Sequence, residues 1–291
     1  MKVFITGGTG SIVGAVVEVL KKRNHEVFAL GRTIDACKLL EQARASPIEG
    51  DLKSPASWID VCDSIDGVIH IAAEWGDEMG RIDRQLVDSV LRRFESNRLK
   101  KPFIYTGGCW LYGETGDTVA IEDSPLPFDP LDSFAWSLES INAVLTADHV
   151  QGMVVHPAMV YERSGGVFER FFEDAKKLGC VRVVRGEHVR WPLIHRMDLA
   201  MIYVLLLERG KQGDVYNAAT NHGVSVGEIA RTLANRLGVN PNPIVLDLKT
   251  AVAEMGNLAE GYALDQQMSG DKARLRLGWR PEFEDALLEI A

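Results

Sequence analysis

The chain has 291 residues, 46% hydrophobic and 25% charged, with 32 Lys and Arg against 41 Asp and Glu and a formal net charge of −9. That acidic balance excludes a broad phosphodiester-binding surface, so nucleic acid is not an expected partner, although it leaves room for one local anion site. The longest strongly apolar run, MIYVLLL at 201–207, is too short to span a bilayer, so no membrane contact is expected.

The first half alternates short apolar runs with amphipathic stretches. VFI (3–5), VFAL (27–30), VIHIAA (68–73) and PFIYT (102–106) read as buried strands. Residues 11–23, 35–45, 55–63 and 80–97 between them carry helical spacing, with Ile82, Leu86, Val90 and Phe94 recurring on one face. This alternation implies a parallel sheet with helices on both faces and right-handed connections. The second half is less regular: strands at 152–155 and 214–219, and helices near 166–178, 198–209, 225–237, 249–258 and 271–277. The proline-rich NPNP (240–243) predicts a turn or a sub-domain edge. Cys37, Cys62, Cys109 and Cys180 are scattered, without CxxC or metal-ligand spacing. No metal is expected, and the pattern fits a reduced, cytoplasmic protein. The opening MKVFI has the pattern of a strand and lacks the features of a signal peptide, which adds to the same expectation.

The strongest local signal is TGGTGSIVG (6–14), directly after the first strand and opening a helix. Glycines at such a turn let the backbone approach a pyrophosphate, which sits against free amides at the positive helix end. Thr6, Gly7, Thr9, Gly10, Ser11 and Ile12 are therefore candidate dinucleotide-binding residues. The second strand ends in Leu30-Gly31-Arg32. NAD-preferring sites place an acidic residue there, whereas an arginine suits the extra phosphate of NADP through its planar fork. NADP is the expected cofactor, with NAD as the alternative.

With these features in place, the chain resembles the extended short-chain dehydrogenase/reductase family, the NAD(P)-dependent epimerase/dehydratases, over nearly its whole length. Asp51-Leu52 is similar to the family's adenine-contacting pair, and His70-Ile-Ala-Ala73 to the strand motif beneath the nicotinamide ribose. Tyr105-Thr-Gly-Gly-Cys-Trp-Leu-Tyr-Gly113 resembles (Y/F)-(S/T)-S-S-x-x-V-Y-G, and His156-Pro157 through Tyr161 stands where the family has R-P-x-x-V-Y. RWPLIHRMDLA (190–200), VYNAA (215–219) and GDKARLRLGWRP (270–281) resemble later family segments. The resemblance implies a Rossmann-type doubly wound parallel sheet with a small, mostly helical C-terminal substrate cap. It divides the chain into a dinucleotide domain, 1–156 plus about 190–222, and a cap, about 157–189 and 223–291. It adds Asp51, Leu52, His70, Ala72, Thr106 and His156 to the candidate cofactor residues. It also offers a homodimer as the assembly to test.

Two departures stand out. The family's third glycine falls on Val13, which should push the helix outward or shift its register. More seriously, the family works with a Tyr-x-x-x-Lys pair and a helper serine or threonine. Spacing of four puts tyrosine and lysine on one helix face, where the tyrosine exchanges the proton and the lysine lowers its pKa. Those positions hold Phe134, Leu138 and Gly108, and no tyrosine of the chain has a lysine four residues later. General acid–base help contributes roughly 10²–10⁴-fold, so the standard mechanism is not available.

Tyr112 and Cys109 are the candidate replacement groups; Tyr161, His156 and Glu139 are further ionisable residues nearby. Tyr112 and Tyr161 match positions usually used for packing, and His195 and Asp198 read as structural. Trp110, Phe134, Trp136, Tyr161 and Trp191 would line a substrate pocket suited to a flat or apolar small molecule. Three functions follow. The first is an atypical NADP-dependent oxidoreductase with a non-standard acid. The second is a non-catalytic NADP(H)-sensing regulator, and the third a non-redox enzyme (cyclisation, elimination or isomerisation) reusing the fold.

Overall fold

The computed structural model describes residues 1–8, 10–73, 76, 78–98, 100–124 and 131–291. In chain order the first half gives β1 (Lys2–Thr6), α1 (Ser11–Lys22), β2 (Glu26–Gly31), α2 (Ile34–Gln42), β3 (Ser46–Glu49), β4 (Gly67–His70), α3 (Met79–Ser96), β5 (Pro102–Thr106) and β6 (Val119–Ala120). After α4 (Asp132–Ala135) and α5 (Ser137–Thr146) come β7 (Gln151–Pro157), β8 (Met159–Glu162), β9 (Gly165–Gly166), α6 (Glu169–Leu178), β10 (Cys180–Val184), β11 (Arg190–His195) and α7 (Arg196–Arg209). The chain closes with β12 (Val215–Ala218), β13 (Asn221–Ser225), α8 (Val226–Leu237), β14 (Asn240–Leu246), α9 (Leu248–Met255), α10 (Leu258–Tyr262), β15 (Gln267–Met268), α11 (Asp271–Leu277) and α12 (Ala286–Ile290).

Seven parallel strands form the central sheet in the order β12-β7-β5-β4-β1-β2-β3. Its inner strands are continuously apolar because helices cover both faces: Val3, Phe4 and Ile5 are fully buried, as are Val68, Ile69, Phe103 and Ile104. From β1 the chain winds outward through β2 and β3, then returns to place β4 on the other side of β1. That reversal opens a crevice at the carboxyl ends of β1 and β4, where α/β sheets hold their ligands. This is a Rossmann-like doubly wound fold.

The remaining strands build smaller sheets: β13-β11-β8-β9, β10 with β14, and β15 with β6. Helix α7 carries the apolar run at 201–207 and buries most of its residues, from Leu199 through Leu207, apart from half-buried Met201. Among the described residues, no helix is long and apolar enough to cross a membrane.

The strands read from periodicity all form, as do most of the helices, but two readings do not hold, and β6, β8 to β11, β13 and β15 escape the pattern. The helical reading of 55–63 resolves into two 3₁₀ turns, Pro55–Ser57 and Ile59–Asp63, broken at Trp58. The Trp58 indole is buried and donates to the Asp51 carbonyl at 2.9 Å, which ties the segment to the preceding loop and prevents a continuous helix. NPNP is not a turn: it begins β14, which runs parallel to β10 with a register shift. Its prolines are tolerated because the strand lies at the edge of a two-stranded sheet and is largely exposed. Strand β3 escaped the sequence pattern because SPIE is short, half-polar and at the edge.

Candidate active site

Helix α1 starts on Gly10, which gives no side-chain cap, and its first turn contains no acidic residue. Its leading amides therefore meet the crevice without a side chain of their own turn to satisfy them, which is the electrostatic setting for an anion. Gly7 has φ +119°, and a Cβ there would stand 3.0 Å from Val13 Cγ2 and 3.2 Å from the Ala72 amide nitrogen. Glycine is required on both counts. The expected outward push from Val13 is met by this bare Gly7, over which the buried valine packs. Gly14 does not take over the third-glycine role, since a Cβ on it would meet nothing within 4 Å.

A cavity of about 630 Å³ follows this turn. Gly7, Gly8, Gly10, Ser11 and Ile12 form one wall, Arg32 and Thr33 the far lip, and Asp51, Leu52 and Ala72 the floor. Arg32 is exposed at the end of β2. The Asp51 carboxylate accepts from the Lys53 amide at 2.8 Å, which holds that loop closed. Ser11 donates to Glu162 Oε1 at 2.7 Å, and Glu162 Oε2 pairs with Arg196 Nε at 3.0 Å. Thr9 lies outside the described residues.

Sharing the Ile12, Ile71, Ala72 and Val160 wall, a second cavity of about 350 Å³ continues from the first. Aromatic rings dominate it: Trp110, Phe134, Trp136, Tyr105 and Tyr262. Trp110 meets Phe134 edge-on at 4.6 Å and Tyr262 at 5.7 Å. The approach requires Gly261, because a Cβ there would stand 2.4 Å from Trp110 Cε2. Trp136 is seated against α3, where a Cβ on Gly80 would come within 2.8 Å of Trp136 Cβ. Thr106, Gly108 and Cys109 reach this cavity from the end of β5, and Ser137 from the start of α5. A Cβ on Gly108 would meet nothing within 4 Å, so the place of the helper hydroxyl is open.

The structure brings Phe134, Trp110, Trp136, Gly108 and Cys109 together, but keeps several other sequence candidates out of either cavity. Tyr112 is buried, lines neither cavity and donates to Asn217 Oδ1 at 2.8 Å; burial pushes its hydroxyl well above the ordinary phenol range. Cys109 lines the cavity, but burial raises its thiol to about 12, and it stays protonated. Tyr161 is buried against Phe168 and His195. Trp191 lies behind Tyr262, whose carbonyl accepts from its indole at 3.1 Å. His156 is buried edge-on to Tyr112, and burial lowers it to about 4, which leaves it neutral. Leu138 packs in the core on the α3 side of the sheet, and Glu139 is exposed. Asp198 accepts from the Glu282 and Phe283 amides at 2.7 and 3.0 Å, and His195 caps α7: both are structural.

Thr6 and His70 are buried behind the cleft wall and joined in a chain that sequence reasoning missed. Thr6 Oγ1 lies 2.6 Å from His70 Nδ1, and His70 Nε2 lies 2.9 Å from Asp83 Oδ1. Tyr105 donates to Asp83 Oδ2 at 2.9 Å. Asp83 and Tyr105 both border the aromatic cavity. Burial, then the Asp83 charge, holds the Tyr105 hydroxyl far above its usual range. A signal for Asp83 was present: it is a carboxylate on the buried face of α3, between Ile82 and Leu86. Tyr262 gave none, since it comes from a short helix far along the chain. Among the described residues, no group of His, Cys, Asp and Glu could hold a metal ion.

Residues 3–219 match the model of the NAD dependent epimerase/dehydratase family. An uncharacterized protein of Saccharomyces cerevisiae is 29% identical over 302 residues, covering 100% of this chain and 98% of the relative. The human epimerase family protein SDR39U1 is 25% identical over 306 residues, covering 100% and 99%. Its structure, solved with NADPH, matches with a TM-score of 0.74 at 24% identity over 100% of this chain and 99% of that one. The dTDP-glucose 4,6-dehydratase of Bacillus anthracis, solved with NAD, gives a TM-score of 0.81 at 16% identity over 100% and 95%. With the glycine turn, the sheet order and a family match across most of its length in agreement, this chain belongs to the NAD-dependent epimerase/dehydratase family.

Proposed function

We propose that the protein binds NADP(H) and acts as an oxidoreductase on a small apolar substrate, without the family's usual acid. The observation that carries this reading is the continuity of the two cavities: a glycine-built anion cradle with Arg32 at its lip leads directly into an aromatic chamber. The chain fits the dinucleotide, because the Gly7 cradle would be filled by any side chain and the α1 amides carry no internal cap. Gly7, Gly10, Ser11 and Ile12 would hold the pyrophosphate, Asp51 and Leu52 the adenine end, and Arg32 with Thr33 the ribose phosphate. The NADPH in the structure of human SDR39U1 supports the preference for the phosphorylated cofactor. When bound, a dihydronicotinamide supplies hydride. The protein's own part is to orient the substrate against the Trp110 and Phe134 rings and to exclude water with apolar walls.

Titration calorimetry of NADPH and NADH against wild type and Arg32→Glu tests the cofactor assignment. NADPH should bind more tightly than NADH, and Arg32→Glu should remove that preference, by about tenfold or more for loss of a charge-assisted phosphate contact. Absence of binding by any dinucleotide would refute the reading. A second reading, a non-catalytic NADP(H) sensor, is favoured by the burial of the Tyr112 hydroxyl. Substrate-dependent NADPH oxidation separates the two.

A further inference from the structure

We propose that the aromatic cavity takes a flat organic cation, the iminium ion of a cyclic or N-substituted imine, as its hydride acceptor. This rests on the NADP(H) reading above and adds the substrate class to it.

Three observations converge. The walls are aromatic: Trp110, Phe134 and Trp136 line the cavity beside Tyr262, whose ring already carries Arg170 at 5.4 Å, and the face of an aromatic ring attracts a desolvated cation. Asp83 supplies the opposite charge at the same cavity. Its side chain is only 1% exposed, and its oxygens meet a phenol and an imidazole. Asp83 Oδ1 lies against His70 Nε2, Oδ2 accepts from Tyr105, and the chain from Thr6 through His70 thus ends in a carboxylate at the cavity border. A buried charge of this kind favours a counter-charge nearby. Among the described residues that line the cavity there is no lysine, arginine or histidine. A nucleotide-diphosphate substrate, of the sort named for the UDP-glucose 4-epimerase relatives, would find a carboxylate there and none of those bases.

The third observation is which groups are absent. Reducing a carbonyl places negative charge on oxygen and calls for a proton, a helper hydroxyl and a nearby cation. Phe134, Gly108 and Leu138 remove all three. An iminium ion needs none of them. Its carbon gains hydride with its electron pair from a dihydronicotinamide, the C=N π pair moves onto nitrogen, and the product is a neutral amine. The dihydronicotinamide becomes the nicotinamide cation, charge is conserved, and no proton moves.

The test compares N-methyl-3,4-dihydroisoquinolinium with 1-tetralone, a bicyclic ketone of the same shape without charge. Binding is read by quenching of tryptophan fluorescence, with and without NADPH, and turnover by NADPH absorbance. The cation should bind about tenfold more tightly than the ketone, as a desolvated aromatic cage predicts, and only the cation should consume NADPH. Asp83→Asn should reduce the binding preference to about threefold or less while leaving tetralone binding unchanged. If Asp83→Asn does not fold, Phe134→Leu, at a half-buried wall position, should lower cation binding several-fold and ketone binding little. Equal or tighter binding of tetralone, or tetralone reduction at a rate like that of the cation, overturns the proposal. Cation binding without any NADPH binding would instead refute the cofactor reading and with it the hydride step.

Discussion

The two halves of the cleft are built by opposite means. The glycine-turn half is shaped chiefly by backbone: glycines 7, 8 and 10 and the head of α1. The aromatic half is made of side chains delivered by remote segments: Trp110 after β5, Phe134 and Trp136 around α4, Tyr262 from α10. A backbone site depends on one local turn and tolerates almost no change within it. A side-chain chamber can be relined position by position while the fold stays the same, and in this chain Phe134 and Gly108 line it where the family resemblance leads one to expect a tyrosine and a hydroxyl.

The sharpest way to break this comparison is Gly7→Val. With φ at +119° and Val13 and Ala72 already at contact, the substitution should cost about 3 kcal/mol of stability and abolish dinucleotide binding. Urea denaturation and calorimetry read the two effects. A variant that folds and binds normally would show that the turn is not the anion cradle.

Tyr105→Phe acts on the boundary of the aromatic half. It leaves Asp83 Oδ2 without its donor and should destabilise by about 1–3 kcal/mol, measured by urea denaturation, while NADPH binding in the other half is retained.

A pH profile gives a graded effect. Burial lowers His156 to about 4 from an ordinary 6.5, so the unfolded chain binds the extra proton first as pH falls. The contribution of this group is full above about pH 6.5 and is lost as pH falls through the window toward 4, at up to about 1.4 kcal/mol per pH unit. His195, also lowered to about 4, adds in the same direction. Chemical denaturation between pH 7 and 4 should show this slope, and His156→Gln should reduce it.

The smallest expected effect is a gain. Gly14 sits inside α1 with open space at its Cβ position, so Gly14→Ala should stabilise by about 0.5–1 kcal/mol without weakening NADPH binding. A rise in thermal midpoint with unchanged calorimetry is the expected result. Loss of binding would restore to Gly14 the role that the geometry gives to the Gly7 and Val13 pair.

The same division explains what could be read in the sequence. The sheet, its helices and the glycine turn follow from period-two and period-3.6 patterns and from TGGTGSIVG, because each is a local property. The loss of Tyr-x-x-x-Lys was legible as a spacing that occurs nowhere in the chain. Depth was not. Tyr112, Tyr161 and Trp191 match the right motifs yet face into packed layers, since a neighbour on a short loop or strand can point either way. Asp83 and Tyr262 belong to the cavity through long-range contacts, Asp83 with Tyr105 and Tyr262 with Trp110, and no local pattern encodes them.

The hairpin of β8 and β9 carries one more consequence. Val160, Gly166 and Val167 belong to the walls of both cavities, and Glu162 on the same hairpin fastens it to Ser11 at the head of α1 and to Arg196 on α7. The hairpin that walls the aromatic chamber is thus tied to the same serine that heads α1. A ligand in one chamber that shifted this hairpin would change affinity in the other, and such coupling is reciprocal by thermodynamic necessity. Both affinities would then meet at a single glutamate.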